Sequence, residues 1–317
     1  MAGIERYRSL IEEAIERWIG TLPDNSLYAP MIYIMRLPAK RVRPCATLMA
    51  CEMFGSPAKA ALDAALAVEL FHNFTLMHDD IMDHAPLRRG HATVHEKWNI
   101  STAILSGDAM LVKAYEMLSQ HQAVVPIFNA NAIAVCEGQQ SDMDFEQRSE
   151  VGLPEYMEMI HKKTARLLGC ALQMGAAIAG ASKVDQERIA GFGGSLGTAF
   201  QLRDDLLDAF GDPGKVGKQP GGDLRAGKKT WLLIEGMRIE SANGTSLLRD
   251  QLKLPENERD IGAMLQTIEK SGARSAAEKE VEKFENEAME LLDAIDVARE
   301  RKKPLRDLAG MLMARSY

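Results

Sequence analysis

Apolar residues along the chain recur at three- and four-residue spacing instead of alternating, which is the signature of helices that bury one face. The spacing predicts helices over residues 4–19, 42–54, 59–82, 102–119, 127–147, 154–178 and 184–210, with shorter helices from there to the C-terminus. Breaks fall where turn chemistry gathers: Gly55-Ser56-Pro57, His84-Ala85-Pro86, Gly152-Leu153-Pro154, and a longer stretch over 211–222 that contains Pro213 and Pro220. None resembles a linker between domains, and no repeat of fixed period is present. The expectation is an all-α fold in a single domain spanning residues 1–317.

Composition supports a folded globular protein, because 46% hydrophobic content over 317 residues suffices for a large core. Aromatic content is only 6%. A formal charge of −7 argues against nonspecific nucleic-acid binding, although a local basic site can still hold an anion. Cys45, Cys51, Cys136 and Cys170 are widely separated without C-x-x-C spacing, so neither a disulfide framework nor a zinc site is expected. The first residues are amphipathic and charged from Glu5 onward, unlike a secretion signal. The longest apolar stretches, around 61–71 and 169–180, fall short of the roughly 20 residues that span a bilayer. A soluble, cytoplasmic protein with no membrane span is expected.

Two aspartate clusters carry the chemistry. Asp79-Asp80-Ile81-Met82-Asp83 ends one predicted helix, and Asp204-Asp205-Leu206-Leu207-Asp208 repeats the spacing near the end of another. Residues four apart share a helix face, so each cluster aims two carboxylates the same way. Like charges so placed repel, the more so where apolar neighbours restrict water, and something positive should sit between them. Oxygen ligands without cysteine favour a hard cation, and Mg²⁺ is commonly held by one or two carboxylates plus substrate phosphates. One D-D-x-x-D alone would more often be a solvated helix face, but two after long apolar stretches, each succeeded by a basic, glycine-containing segment, favour the functional reading.

Basic residues lie nearby in sequence. Arg88-Arg89-Gly90 comes soon enough after Asp83 for guanidinium groups to grip phosphate oxygens, and Lys40-Arg41-Val42-Arg43-Pro44 offers a second anion site. His72 lies seven residues before Asp79, on nearly the same helix face. Residues 211–227 interleave glycines with Lys215, Lys218, Asp223 and Arg225, a composition suited to a loop that closes over an anion. Taken singly, each basic group has an ordinary reading as solvated charge, and His72 as a satisfied core histidine.

With these motifs in order, the chain resembles the trans-isoprenyl diphosphate synthases, the polyprenyl synthetase family. The resemblance runs from about Lys40 to Thr230 and includes Glu69-Leu70-Phe71-His72, Gly138-Gln139, Lys163-Thr164-Ala165, Gln201-Leu202-Arg203-Asp204-Asp205 and Gly227-Lys228-Lys229-Thr230 besides the motifs above. It implies an isoprenoid-synthase helical bundle around a central active-site cavity, and a homodimer. It also implies that Asp79 and Asp83 bind two Mg²⁺ ions, that Asp204 helps bind a third, and that Asp80, Asp205 and Asp208 ligate directly or through water, the three ions holding the allylic diphosphate. By the same matching, Arg88, Lys163, Thr164, Gln201, Lys218 and Lys228 contact the allylic substrate, with Thr164 and Gln201 stabilising its carbocation. Lys40, Arg43, His72 and Arg89 bind isopentenyl diphosphate. Two departures stand out: Pro38-Ala39 replaces the usual Gly-Gly before Lys40, and Trp231-Leu232 stands where a proline is common after Thr230.

The reaction so implied ionises an allylic diphosphate, so the site must stabilise concentrated negative charge while tolerating an apolar cation. No protein nucleophile is required, and no nucleophile elbow, Walker loop or dinucleotide fingerprint is present; the glycines from Gly191 to Gly197 read as helix-packing glycines. Met77, Met82 and Met110 read as core filler before any special site, with some of them candidates to line a prenyl tunnel. Product length should be set by side chains below the first aspartates, where Thr75 is small while Phe74 and Phe71 are bulky. An aromatic residue at the position of Phe74 with a small one at Thr75 is associated in the family with geranylgeranyl (C20) products, with farnesyl (C15) the alternative. A class I terpene cyclase would want a different second metal motif, a noncatalytic subunit would be expected to lose aspartates that are all present here, and a di-metal bundle would want more than one Glu-x-x-His pair.

Overall fold

The structure is a computed structural model and describes residues 2–212 and 220–314. In chain order its helices are α1 (Ala2–Ile19), α2 (Ala29–Arg36), α3 (Val42–Met53), α4 (Leu62–Met82), α5 (Val94–Lys97), α6 (Ile100–Met117), α7 (Val125–Glu146), α8 (Leu153–Ile160), α9 (Arg166–Ile178) and α10 (Lys183–Phe210). They continue with α11 (Gly222–Ala226), α12 (Trp231–Ala242), α13 (Leu247–Leu252), α14 (Ile261–Ser271), α15 (Ala273–Asp293) and α16 (Arg299–Met313). Strands β1 (Leu87–Arg88) and β2 (His91–Ala92) pair as an antiparallel hairpin. The all-α expectation holds.

Three local features depart from the sequence pattern. The segment 154–178, expected as one helix, is α8, a π-helical turn at His161–Ala165, and α9. A single i→i+5 turn of five residues is short against the roughly 11–18-residue window over which periodicity is read, so the apolar pattern does not register it. The hairpin strands are two residues each, too short for alternation to show; its turn uses positive φ at both Arg89 (54°) and Gly90 (78°), the geometry of a tight two-residue connection. The first turn of the segment expected at 59–82 is a 3₁₀ turn, Ala58–Ala61.

The chain groups into two compact units, each assembled from separate stretches, with divisions falling inside α7, α9, α10 and α16. The first comprises Met1–Asn129, Cys170–Ala190 and Asp296–Leu308. Its central helix is α4, which packs along α6 and against α3 and α1. From Ala64 to Leu70 every residue of α4 is buried and all but Glu69 are apolar, and the aspartate cluster comes in its last turns. The second comprises Ala130–Gly169, Gly191–Ile295 and Ala309–Tyr317. There α12 packs against α14, α15 and α8. Its core includes Leu202, Leu206, Trp231, Leu233, Met264, Ile268 and Val281. Thr230 caps α12 by accepting from the Leu233 N–H, and Asp260 caps α14 by accepting from the Ala263 N–H. Among the described residues, no helix is long and apolar enough to cross a membrane.

Candidate active site

In the first unit the aspartates emerge where α4 loses its apolar cover. Asp79 is half-buried, Asp80 is buried at 1% exposure, and Asp83 is exposed just past the helix end. The Asp83 N–H donates to the Asp79 carbonyl at 2.8 Å, so these two residues keep the helical i, i+4 relation. Asp80 has a different occupation. It accepts from Arg88 Nε at 2.8 Å and from Arg88 Nη2 on the same oxygen. Burial raises its carboxyl above the ordinary value while Arg88 pulls it back down.

Arg89, one residue further along the hairpin, belongs to another group. Arg43 Nη1 lies 3.2 Å from His72 Nε2. Arginine can only donate, so that nitrogen accepts and the ring is neutral with its proton on Nδ1. Burial, and the positive charge of Arg43, Arg89 and Arg88, push the His72 imidazole well below its usual value. Burial also lowers Arg43 and Arg89. Arg43 Nε and Arg89 Nη1 are buried and have no partner among the described residues. Buried cationic N–H groups without acceptors are costly, and an anionic ligand would satisfy them.

Arg41 holds this segment in shape. It adopts a left-handed backbone conformation (φ 50°), rare outside glycine. Its buried guanidinium donates to Glu69 Oε1 at 2.6 Å, to Glu12 Oε1 at 3.0 Å and to the Met35 carbonyl. The left-handed turn therefore falls at Arg41 and not at Pro38-Ala39, where the motif departs from the usual glycines. Lys40 is exposed beside it.

In the second unit α10 repeats the pattern. Asp204 and Asp208 are half-buried, whereas Asp205 is 5% exposed. Asp205 accepts from the Tyr156 hydroxyl, from Gln201 Nε2 at 3.3 Å and from the Trp231 N–H at 3.4 Å. Burial raises its carboxyl to about 7, against the lowering effect of the Tyr156 hydrogen bond. Asp208 accepts from the Asp223 N–H at 2.9 Å, and its carbonyl accepts from Gly221 at 2.7 Å, tying α10 to α11. Lys163 and Thr164 lie on the π-turn. Lys163 pairs with Asp142 at 2.6 Å, and the Thr164 hydroxyl donates to Gln201 Oε1 at 3.1 Å. Gly138 permits α7 to approach this turn, since a Cβ there would sit 2.8 Å from the Lys163 Cα. Gly197 likewise has the Ala165 Cα 2.7 Å from where a Cβ would be, in keeping with a helix-packing glycine.

Lys163, Thr164, Gln201, Asp205, Tyr156 and Lys228 line one cavity of about 250 Å³ in this unit. The departure at Trp231-Leu232 leaves the Thr230 cap intact, and Trp231 adds a donor to Asp205. Lys218 lies outside the described residues.

Of the residues assigned to chain length, Phe71 and Phe74 are buried and Thr75 is half-buried. Met77 and Met110 are buried, but Met82 is 45% exposed, which corrects its reading as core filler. Its position beside the exposed Asp83 at the end of α4 takes it out of the packed core. Sequence reasoning did not single out Tyr156 or Asp142, nor give Trp231 its role as a donor to Asp205 or Arg41 and Glu69 their bracing role. Tyr156 lies seven residues before Lys163, two turns along a helical face, but no composition signal marks it.

The donor set suits magnesium. Among the described residues no three His, Cys, Asp or Glu side chains converge into a ready metal cage. Asp79, Asp83, Asp204 and Asp208 supply carboxylate oxygens, hard donors of the kind that Mg²⁺ takes together with phosphate oxygens and water.

Comparison with known proteins agrees with this chemistry. The sequence profile of the polyprenyl synthetase family matches residues 24–269. A geranylgeranyl pyrophosphate synthase of Geoglobus acetivorans is 35% identical over 325 aligned positions, covering 99% of this chain and 98% of that protein. A crystal structure of a geranylgeranyl pyrophosphate synthase superimposes with a TM-score of 0.93 at 43% identity, covering 99% of both chains. A geranylgeranyl pyrophosphate synthetase from Pyrococcus horikoshii gives a TM-score of 0.91 at 31% identity, covering 99% of this chain and 98% of that one. With a profile match over most of its length and relatives aligned end to end, the chain is a member of the polyprenyl synthetase family, a prenyltransferase fold built from helices.

Proposed function

We propose that the protein is a short-chain trans-prenyltransferase that condenses isopentenyl diphosphate with an allylic diphosphate (dimethylallyl, geranyl or farnesyl), releases diphosphate, and makes geranylgeranyl diphosphate as its product. The observation that carries the two-substrate reading is the division of labour between two successive residues. Arg88 turns to Asp80 in the first aspartate cluster, whereas Arg89 joins Arg43 and His72 in a buried cationic group with orphaned N–H atoms. The aspartates call for cations that would carry one diphosphate, and the orphaned N–H groups of Arg43 and Arg89 call for a second anion.

In this reading Asp79, Asp83 and Asp204 hold up to three magnesium ions with the allylic diphosphate, and Asp80, Asp205 and Asp208 orient that set or ligate through water. Bound there, magnesium supplies positive charge that stabilises the leaving diphosphate. Arg88, Lys163, Lys218 and Lys228 add cationic donors to the same oxygens. Lys40, Arg43, His72 and Arg89 hold isopentenyl diphosphate so that its double bond can attack the allylic cation, and the released diphosphate takes the proton lost afterwards. Thr164 and Gln201 turn oxygen dipoles toward that cation. The Gln201 amide is fixed at both ends, by the Thr164 hydroxyl and by Asp205, so its orientation costs nothing at the moment of reaction. Phe74, backed by Phe71 and with Thr75 leaving room beside it, limits the growing chain.

A homodimer belongs to the same reading, supported by apolar side chains left exposed on α6: Ile104, Leu105 and Val112 are 42%, 60% and 66% exposed. Four free cysteines suit the cytoplasm. The deciding experiment incubates the purified protein with isopentenyl diphosphate and each allylic primer, with and without Mg²⁺, and sizes the products. Geranylgeranyl diphosphate formed only with magnesium is expected. Farnesyl diphosphate accumulating alone would overturn the product assignment, and diphosphate release without isopentenyl diphosphate would point to a cyclase.

A further inference from the structure

Phe74 does not stand alone. On one side its ring meets Phe71 at 5.5 Å between centroids and 57° between planes. Phe71 in turn packs edge-to-face on Phe128 (5.3 Å, 77°), and Phe128 on Tyr115 (5.2 Å, 87°). Phe71 and Phe128 are fully buried, so that side of Phe74 is a fixed wall. On the other side, one helical turn further along α4, His78 meets the Phe74 ring edge-to-face at 4.8 Å and 68°. Phe74 is therefore clamped between Phe71 and His78.

His78 is itself anchored. Its Nε2 lies 3.2 Å from the Ile104 carbonyl of α6, which can only accept, so Nε2 carries the ring proton. The ring reaches that carbonyl because residue 107 is glycine. A Cβ on Gly107 would lie 2.6 Å from His78 Cδ2, a separation no pair of carbons tolerates. The close packing of α4 on α6 thus fixes an imidazole, and the imidazole fixes the phenyl ring one turn away.

We propose that His78 is a positioning residue for product length: held on the Ile104 carbonyl across Gly107, it keeps the Phe74 ring in the orientation that stops the growing prenyl chain. The inference rests on the reading of Phe74 as that limit. Without His78 the wall of rings still supports Phe74 from the Phe71 side, but nothing prevents the ring from swinging into the vacated space and lengthening the path.

The test compares product-length distributions of the full-length enzyme and its His78→Ala, Gly107→Ala, His78→Phe, Phe74→Ala and Phe74→Ala/His78→Ala variants, made with farnesyl and isopentenyl diphosphates. His78→Ala is expected to raise the ratio of products longer than C20 to C20 by about three- to tenfold, the change in ring population that loss of one edge-to-face contact permits. Gly107→Ala, which displaces the imidazole without removing it, should do the same and serves if His78→Ala does not fold. His78→Phe keeps the ring contact and should restore the limit in large part. The double variant should make products no longer than Phe74→Ala alone, because His78 acts only through that ring. If Phe74→Ala lengthens products while His78→Ala and Gly107→Ala leave them unchanged or shorten them, the positioning role is overturned and the Phe74 limit stands. If Phe74→Ala itself leaves product length unchanged, the limit reading fails, and this inference with it.

Discussion

The phenol of Tyr156 on α8 donates its hydrogen to Asp205 on α10, and the carboxylate that receives it is 5% exposed. Asp205 also accepts from Gln201, whose carbonyl oxygen accepts from Thr164. Tyr156 is thus the far end of a chain of hydrogen bonds that sets the Gln201 amide, the group proposed to face an allylic cation. Tyr156→Phe should lower kcat by about ten- to a hundredfold, the worth of one hydrogen bond to a carboxylate, with the KM for isopentenyl diphosphate unchanged. Steady-state kinetics with each substrate varied would decide it, and a rise in that KM at constant kcat would count against the role.

Asp80 depends on Arg88 as Asp205 depends on Tyr156. Arg88→Ala would strand a buried carboxylate, and because the Arg88 side chain is 26% exposed the cost should fall below that of a wholly buried pair, at about 2 kcal/mol of folding stability. Arg88→Lys restores charge but not the two-pronged contact, so it should recover only part. Urea unfolding of the two variants measures both effects.

Arg89 should report on the other substrate. Its truncation to alanine is expected to raise the KM for isopentenyl diphosphate by about thirtyfold or more, the loss of a charge-assisted hydrogen bond, while the KM for the allylic substrate stays within experimental scatter. His72→Ala should show the same split. Parallel increases in both KM values would dissolve the division between Arg88 and Arg89.

Gly138→Ala places a methyl group against the backbone of the π-turn, 2.8 Å from the Lys163 Cα. The turn must shift, at about 1–3 kcal/mol, and Lys163 and Thr164 shift with it. Both a lower melting temperature and a lower kcat are expected. Calorimetry on the variant would contradict the packing argument if the melting temperature held.

Two buried thiols give the alkaline limit of stability. Burial pushes Cys45 up to about 12 and Cys51 up to about 11. Both folded values lie above that of an unfolded thiol, so the stability these groups contribute is complete below about pH 9 and is lost as pH rises through 11–12, because unfolding then frees thiolates that the fold withholds. Denaturant midpoints should decline over that window, and a Cys45→Ala/Cys51→Ala double variant should decline less. At pH 8 neither thiol should react with a disulfide reagent until the protein unfolds.

Much of this protein is written in local pattern. The apolar spacing gives the long helices nearly to the residue, since α3, α6, α7 and α10 begin within two residues of their predicted starts. The two aspartate clusters stand out because like charges four apart on an otherwise apolar helix need a reason. Relations between neighbours on one helix are legible in spacing alone, because the helical repeat fixes them.

Packing between elements supplied the rest. In each cluster the middle aspartate, Asp80 or Asp205, is drawn into the protein by partners distant in sequence or outside its own helix, Arg88 on a hairpin and Tyr156 and Trp231 on other helices, while the outer aspartates stay accessible. The left-handed turn at Arg41, the π-turn under Lys163 and the glycine at 107 that admits His78 likewise depend on what packs against them. Chain order alone establishes which residues share a helical face and what charge they bear. Which of those charges are buried, bonded or left open to a ligand is settled by contacts between elements, because burial is a property of the packed fold and not of the residue.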